Sequence, residues 1–234
     1  MKKKLGFTFL FVLLAYFSVS AQQPFSAGGF LVVHLDDARR TVKIVGWEGT
    51  GQNVNIPSQI GEVGAVTAIG DGAFQNRGLT AVTIPQGVRT IGARAFSGNQ
   101  LTDINIPNGV SRIGDQAFAN NRLYNANIPN SVIAIGYRAF SHNRLSSIVI
   151  PNNMTTVGER AFFENRLSSV TILNSMATIG EQAFRQNGVT SITIGGNIQI
   201  HNTAFGNNFH VFYNNNRQMA GVYTWNGREW AHEG

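Results

Sequence analysis

The stretch "LTDINIPNGVSRIGDQAFANNR", residues 101–122, is followed at once by "LYNANIPNSVIAIGYRAFSHNR", residues 123–144, which keeps the apolar positions and changes most of the polar ones. Both fit the template LxxIxIPxxVxxIGxxAFxxNx, which starts nearly whole at Leu101, Leu123 and Leu145, and in weaker form at Leu79, Leu167 and Val189. A unit of 22 residues is too short to bury a core of its own, and such units stack on one another as coils. The sequence therefore predicts a repeat solenoid of about seven coils.

The template indicates the path of each coil. Ile104 and Ile106 alternate with polar residues, as in a strand with one buried face, and Pro107 ends this strand because proline donates no ladder hydrogen bond. Gly114 indicates either a positive φ or a close approach to the next coil. Residues 115–121 are interpreted as one helical or 3₁₀ turn. We expect parallel strands on one side, short helical turns on the other, and a cap at each end.

Two columns of like residues are predicted to form structural ladders inside the stack. The phenylalanines of the Ala-Phe dipeptide recur every 22 residues, and the last one follows after 21. They are Phe74, Phe96, Phe118, Phe140, Phe162, Phe184 and Phe205. An asparagine column falls at the bend between turn and strand, where side-chain amides can satisfy backbone groups and one another. Its members are Asn99, Asn121, Asn143, Asn165 and Asn187.

The two ends of the chain differ from the repeats. Residues 1–21 combine a basic start, an apolar run and small residues before a cleavage site after Ala21, which predicts a secretory signal peptide. The apolar run is shorter than a membrane-spanning helix needs. Residues 22–70 are predicted to form a strand-rich cap, 71–212 the solenoid, and 213–234 a hairpin cap turning at Asn226 and Gly227. We expect a secreted protein, periplasmic or extracellular, which can associate with the cell surface and does not span the membrane.

Composition narrows the function classes. The 234 residues include no cysteine, which excludes disulfide bonds, thiol catalysis and cysteine metal sites. Removal of Lys2, Lys3 and Lys4 with the signal peptide lowers the formal net charge from +6 to +3. A charge of this size favours solubility and gives little attraction for nucleic acid, so we expect no nucleic-acid partner.

With its IP, IG and AF landmarks, the template resembles the BspA-type leucine-rich repeats of bacterial surface and secreted proteins. The resemblance covers about residues 50–212. It implies a right-handed leucine-rich-repeat solenoid, used for adhesion to host proteins or to other cells, with no shared catalytic residues.

No catalytic motif stands out in the chain. The five histidines show no metal-ligand spacing, and no GxSxG, HExxH or phosphate loop occurs, so we expect no enzyme, no metal and no cofactor. Acidic residues share one column with arginines on neighbouring coils, which favours cross-coil ion pairs over acid/base catalysis. The residues of this column are Asp115, Glu159 and Glu181 beside Arg94, Arg138 and Arg160.

The exposed positions of the strands are the predicted location of function. Most carry small hydroxyl side chains, which suit a solvated surface, but Tyr124 stands out beside Asn125 and Asn127 because an aromatic ring with polar neighbours can anchor a protein or sugar ligand. After the asparagine column, three arginines follow one another on consecutive coils. They are Arg122, Arg144 and Arg166.

This arginine row permits two interpretations. It is either a solvated ridge, which Glu164 could partly neutralise, or a site for an anionic partner, because guanidinium groups suit carboxylate and sulfate. The leading hypothesis is a secreted, non-enzymatic binding module for a host or bacterial surface protein or an acidic glycan. The alternative is a carbohydrate-binding accessory or enzyme that uses aromatic residues of the carboxyl-terminal cap, namely Tyr223, Trp225 and Trp230. The sequence does not specify an oligomeric state.

Overall fold

The computed structural model describes residues 23–36, 40–173 and 178–233. The predicted solenoid is confirmed, with about seven coils of period 22 and little helix. The elements are β1 (Phe25–Ala27), β2 (Phe30–Asp36), β3 (Thr41–Trp47), β4 (Asn53–Asn55), β5 (Gln59–Ile60), β6 (Gly64–Ile69), β7 (Ala81–Thr83), β8 (Thr90–Ile91), β9 (Arg112–Ile113), β10 (Ala134–Ile135), β11 (Ser147–Ile150), β12 (Thr156–Val157), β13 (Ser169–Ile172), β14 (Thr178–Ile179), β15 (Ser191–Ile194), β16 (Gln199–Ile200), α1 (Phe209–Asn215), β17 (Gly221–Trp225) and β18 (Trp230–Glu233).

One face of the solenoid carries a continuous parallel ladder. The strands β6, β8, β9, β10, β12, β14 and β16 pair in this order, and from β8 to β14 partner residues lie 22 positions apart, as in Thr90 and Arg112. The inward residue of these short strands, such as Ile91 or Ile113, is buried. The sequence had predicted strands on one side only, and this second ladder corrects that expectation. Two-residue strands are too short to produce an alternating pattern that can be recognised in the sequence.

The face predicted from "LTDINIP" carries an interrupted ladder. β4 pairs with β7, and β11 pairs with β13, which in turn pairs with β15. Between these two groups the described chain has one isolated bridge, from Asn105 to Asn127. In the two coils without a strand on this face, Asp103, Asn105, Asn125 and Asn127 occupy the outward positions. Asparagine and aspartate are poor strand formers because their side chains compete for backbone hydrogen bonds, which disfavours regular structure here. The two residue types do not exclude it, since β4 pairs regularly with Asn53 and Asn55 at the same outward positions.

The third side of each coil contains two consecutive hydrogen-bonded turns instead of the predicted helical or 3₁₀ turn. Ala117 donates its backbone N–H to the carbonyl of Gly114, and Ala119 donates to Gln116. Between these bonds Gln116 adopts a φ of +56°, which a right-handed helix does not allow. Its N–H points to Tyr137 in the next coil. Backbone bonding on this side therefore joins coils, where a helix would have kept it within one coil.

The seven phenylalanines form a stack through the core. All are buried, the centroids of consecutive rings lie 4.7 to 5.4 Å apart, and neighbouring ring planes differ by no more than 16°. The asparagine column runs beside this stack. Asn121 accepts a bond from the N–H of Leu101 and donates to the carbonyls of Phe96 and Phe118. Each asparagine of the column makes the same kind of bridge between two coils.

The glycine column marks a close contact between coils. A Cβ atom on Gly114 would lie 2.6 Å from the backbone nitrogen of Ala93 and 2.7 Å from the carbonyl carbon of Gly92. Gly114 does not have a positive φ. Of the two reasons that the sequence left open, close approach of the backbone is therefore the correct one.

Strands of different direction lie at each end of the stack. At the amino-terminal end, β1, β2 and β3 pair antiparallel, and β3 continues the ladder through β6. At the other end, β17 pairs antiparallel with β15 and β18 with β17. Within the described residues α1 is the only helix, and its Phe209 ring packs edge-on against Phe205, the last ring of the stack. The predicted signal peptide, residues 1–21, lies outside the described residues.

Candidate binding surface

Tyr124, Asn125 and Asn127 all lie on the outer surface of the coil that begins at Leu123. Tyr124 retains 46% of its full exposure, and both asparagines are exposed. Leu123 and Ile128 point into the core. The alternation predicted from the sequence accounts for Asn125 and Asn127, and Tyr124 lies exposed directly before them, so the three side chains form one exposed strip.

Tyr124 contacts Arg144, a residue that the sequence assigned to a separate row. An Nη1–H group of Arg144 donates a hydrogen bond of 3.0 Å to the Tyr124 hydroxyl, and the guanidinium carbon lies 5.8 Å from the centroid of the ring. The two residues are 20 positions apart, so stacking of the coils brings them together. Because a guanidinium has five N–H donors, Arg144 keeps donors for a further acceptor. The sequence could have indicated this contact, because a separation of 20 residues places Arg144 in the next coil, two positions before the residue that stacks directly on Tyr124.

The arginine row runs along the same side as Tyr124. Arg122 and Arg166 are exposed and Arg144 is half-buried by its contact with Tyr124. The ion pairs of the described residues involve none of these three arginines. Glu164, expected to neutralise part of the row, instead accepts a 2.8 Å contact from Nδ1 of His142. The row therefore stays cationic without a carboxylate of this part of the chain beside it.

A surface groove of about 560 Å³ lies next to this strip, between the coils that begin at Leu123 and Leu145. Ala126 lines the groove where the preceding and following coils carry Ile104 and Ile148. The smaller side chain leaves space that a branched residue would fill. Ala126 is a small residue in a column of branched ones, and this exception is the sequence signal that was missed for the groove.

The groove presents amides on an apolar base. Its polar lining includes four asparagine side chains. These are Asn108, Asn125, Asn127 and Asn130. Ala126 and Ile148 lie deeper, and the exposed side chains of Val149 and Leu173 form the rim. No Asp, Glu, Lys or Arg lines it within the described chain. Such a mixture of amides and apolar carbon suits a ligand that has hydroxyl or amide groups on a carbon frame.

One wall of the groove is the free edge of a sheet. β11 is the outermost strand of its sheet and pairs on one side only, with β13. Ile150 accepts a bond from Leu173 on that side. Because successive residues of a strand bond in opposite directions, Ser147 and Val149 direct their backbone N–H and C=O groups toward the groove. The groove therefore offers backbone donors and acceptors besides the asparagine amides.

The predicted cross-coil ion pairs are wrong. Arg94 and Arg160 instead donate from Nε to the glutamine side chains of Gln116 and Gln182, each over 2.9 Å. The ion pair of this column in the described chain joins Arg160 to Glu159, its neighbour in the same coil, at 3.5 Å. Glutamine occupies the position one coil further on, at a distance that the arginine side chain can reach.

The carboxyl-terminal aromatic residues are mostly internal. Tyr223 and Trp230 are buried, and Trp225 is partly buried against Trp230. Burial raises the pKa of Tyr213 and also that of Tyr223, for which the nearby Tyr213 adds a smaller upward shift. Since a sugar ring needs an accessible aromatic face, the sugar-stacking alternative loses two of its three predicted residues.

Two further properties of the described residues bear on the class of protein. No helix among them is long and apolar enough to cross a membrane. No group of three or more His, Asp or Glu side chains among them is arranged to hold a metal ion.

Comparison with solved structures supports the fold. A leucine-rich repeat protein of T. pallidum is 26% identical and superposes with a TM-score of 0.66, over 76% of this chain and 86% of that one. A leucine-rich cell surface protein of Faecalibacterium prausnitzii is also 26% identical, with a TM-score of 0.57 over 76% of this chain. The present chain covers only 56% of that protein. A leucine-rich repeat protein of Bacteroides ovatus, 23% identical with a TM-score of 0.54 over 71% of this chain and 57% of its own, shares the fold.

Sequence comparison identifies the repeat type. No protein with a curated function matches the sequence. The sequence model described as "BspA type Leucine rich repeat region" matches six copies across residues 67–190, more than half of the chain. This match agrees with the stacked phenylalanines and the period of 22, and it shows that the chain belongs to the BspA-type leucine-rich-repeat family.

Proposed function

We propose that the protein is a secreted, non-enzymatic binding protein that mediates adhesion through the exposed surface of its solenoid. The main support is the contact between Tyr124 and Arg144, an exposed aromatic and guanidinium pair beside a groove. Tyrosine and arginine are enriched, with tryptophan, among the few residues that dominate the binding energy of protein interfaces. The F. prausnitzii relative, described as a cell surface protein, fits the same role.

The scaffold suits this role for a physical reason. The backbone bonds between coils, the phenylalanine stack and the asparagine bridges hold the outward side chains at fixed spacing, so little ordering is needed when a partner binds. Residues at the outward positions differ from coil to coil, as Thr102, Tyr124 and Ser146 illustrate. A regular frame with a variable exposed strip is an arrangement for recognition by surface complementarity.

Binding of the purified protein to host cells, bacterial cells and arrays of surface proteins tests this function. We expect a Tyr124→Ser variant, which matches Ser146 and Ser168 of its column, to keep its melting temperature and to bind about tenfold more weakly. Ser168→Ala is the matched control and should bind like the parent. Equal binding by Tyr124→Ser would show that function lies on another surface. Turnover of a polysaccharide that disappears on substitution of one carboxylate would overturn the non-enzymatic role.

The proposed location has its own test. If residues 1–21 are a signal peptide, expression in a bacterial host should place the protein outside the cytoplasm, and amino-terminal sequencing should start at Gln22. A protein that keeps Met1 and stays in the cytoplasmic fraction would contradict secretion.

A further inference from the structure

We infer that the groove beside Ala126 and the arginine row together form one site for an acidic oligosaccharide. This inference rests on the proposed binding function and names the ligand class. Tyr124 lies between the two parts, since it directly precedes Asn125 and Ala126 in its coil and bonds to Arg144 of the row. A single extended ligand can therefore contact cations at one end and amides at the other.

The groove fits hydroxyl groups better than a peptide strand. Between residues 124–128 and β11 the described backbone makes no ladder bond, so Ser147 and Val149 keep donors and acceptors directed into the gap. The same two coils are held together on both sides of this gap. Arg144 donates its N–H to Leu123 over 2.9 Å at one end, and β10 pairs with β12 on the other face.

The coils therefore cannot separate by the two strand spacings, about 9.6 Å, that an inserted peptide strand would need. Hydroxyl groups are small enough to reach the gap from outside, and each both donates and accepts. The carbon face of a sugar ring can at the same time pack against Val149 and Leu173, the exposed rim of the groove.

The arginine row provides the charge selectivity. Arg122, Arg144 and Arg166 follow one another on consecutive coils, and the ion pairs of the described chain leave them without a carboxylate. The ion-pair contact of Glu164 is with His142 and not with an arginine of the row. The groove itself has no charged lining among the described residues, so it adds hydrogen bonds without repelling an anion. Guanidinium groups bind carboxylate and sulfate through paired, charge-assisted hydrogen bonds.

Ala126→Ile is the variant that isolates the groove. It fills the space with the residue found at the equivalent positions 104 and 148, so the fold is expected to accept it, and it removes no polar group. Ala134→Thr is the matched control. This variant also replaces an alanine by the residue of the following coils in its column, Thr156 and Thr178. Ala134 lies in the same coil as Ala126 but on the opposite face. Replacement of Arg122, Arg144 and Arg166 together by Gln isolates the charge.

The experiment measures binding at low salt of a heparin tetrasaccharide, a carboxylate-only oligogalacturonide and a hexaglutamate peptide. We expect at least one acidic oligosaccharide to bind the parent, with about fivefold weaker binding by Ala126→Ile and about tenfold weaker binding by the triple arginine variant. Ala134→Thr should leave the affinity unchanged. If the two variants weaken binding of the heparin fragment alone, the ligand is a sulfated glycan. If they also weaken binding of the oligogalacturonide, a glycan that carries only carboxylates is a ligand too.

Three outcomes would overturn the inference. Equal binding by Ala126→Ile and the parent would mean that the groove takes no part and that the arginines attract any polyanion. Binding of hexaglutamate with the same dependence on Ala126 would identify an acidic protein surface as the occupant. Absence of binding by both oligosaccharides, with Tyr124-dependent adhesion to cells intact, would remove the glycan and leave the proposed function standing.

Discussion

Asn121 donates a side-chain hydrogen bond of 2.9 Å to the carbonyl oxygen of Phe96 in the preceding coil. The same amide group donates to Phe118 of its own coil, and its oxygen accepts from the N–H of Leu101. Three backbone groups at a buried corner therefore depend on one side chain. This relationship repeats along the column, and it needs a side chain that both donates and accepts, which an ionised carboxylate cannot do.

Substitution of Asn121 by Ala should lower the free energy of unfolding by about 3 kcal/mol, because it leaves buried backbone donors and acceptors without partners. Chemical denaturation of the purified protein measures the change. Asn152→Ala, at an exposed asparagine, is the control and should remain within about 0.5 kcal/mol of the parent. A loss at Asn121 no larger than that of the control would mean that water takes over the bridging role.

Phe162 and Phe163 offer a test of the stack on adjacent residues. Phe162 is fully buried between Phe140 and Phe184, whereas Phe163 is half-buried outside the stack. Phe162→Ala should cost about 3–5 kcal/mol through the cavity that it creates. Phe163→Ala should cost clearly less. Thermal unfolding of the two variants measures both losses of stability. Similar losses would argue against a special contribution of the phenylalanine stack.

Close packing of the glycine column predicts an effect of a single methyl group. A Cβ on Gly158 would lie 2.6 Å from the carbonyl carbon of Gly136, so Gly158→Ala should push two coils apart and cost about 1–3 kcal/mol. At Gly206 a Cβ meets no atom within 4 Å, and Gly206→Ala is the control. Denaturation midpoints of both variants check this. A stable Gly158→Ala protein would show that the coils can shift without loss.

Alkaline pH should weaken the carboxyl-terminal end. Tyr213 donates to the carbonyl of Gly195 and accepts from the N–H of Ile198, and burial raises its pKa above the usual value. A group whose pKa is raised in the folded state contributes stability that is complete below its unfolded pKa of about 10 and is lost as pH rises above it. We therefore expect the melting temperature to fall above about pH 10.

Tyr213→Phe separates this effect from general alkaline unfolding. The variant should be less stable at pH 7, where the hydroxyl hydrogen bonds are lost, and its melting temperature should decline less between neutral and alkaline pH. Tyr223 retains a raised pKa of its own, so some decline should remain. Parallel pH profiles for the variant and the parent would contradict the assignment to Tyr213.

Repetition made most of the core predictable. Phe118 and Asn121 have the same neighbours in every coil, so their columns could be read without a structure. The ladder through Ile113 was missed because each strand has two residues and shows no alternation. The cross-coil ion pairs failed because Gln116 and Gln182 lie where Arg94 and Arg160 reach, a detail of side-chain geometry that column order does not contain.

The candidate site departs from the repeat, and for this reason it was only partly predictable. Tyr124 stood out as the single aromatic residue of its column, but its bond to Arg144 depends on the stacking of two coils. The groove depends on Ala126, a small residue among larger ones, and on asparagines that end the strand. Exceptions to the template mark this surface more clearly than the template does.

The gaps in the ladder also determine how the array comes apart. The free energy of unfolding of a linear repeat protein is close to the sum of the stabilities of its coils and of the interfaces between neighbouring coils. Opening therefore begins at the weakest interfaces. Ladder bonds are missing on one face before Leu101 and again before Leu145, while the other face stays paired. Amide protons of Ser147 and Val149 should therefore exchange with solvent ahead of those in β15. We therefore expect the two junctions with one unpaired face to open before the others, and a ligand that contacts both coils of the second junction would stabilise it.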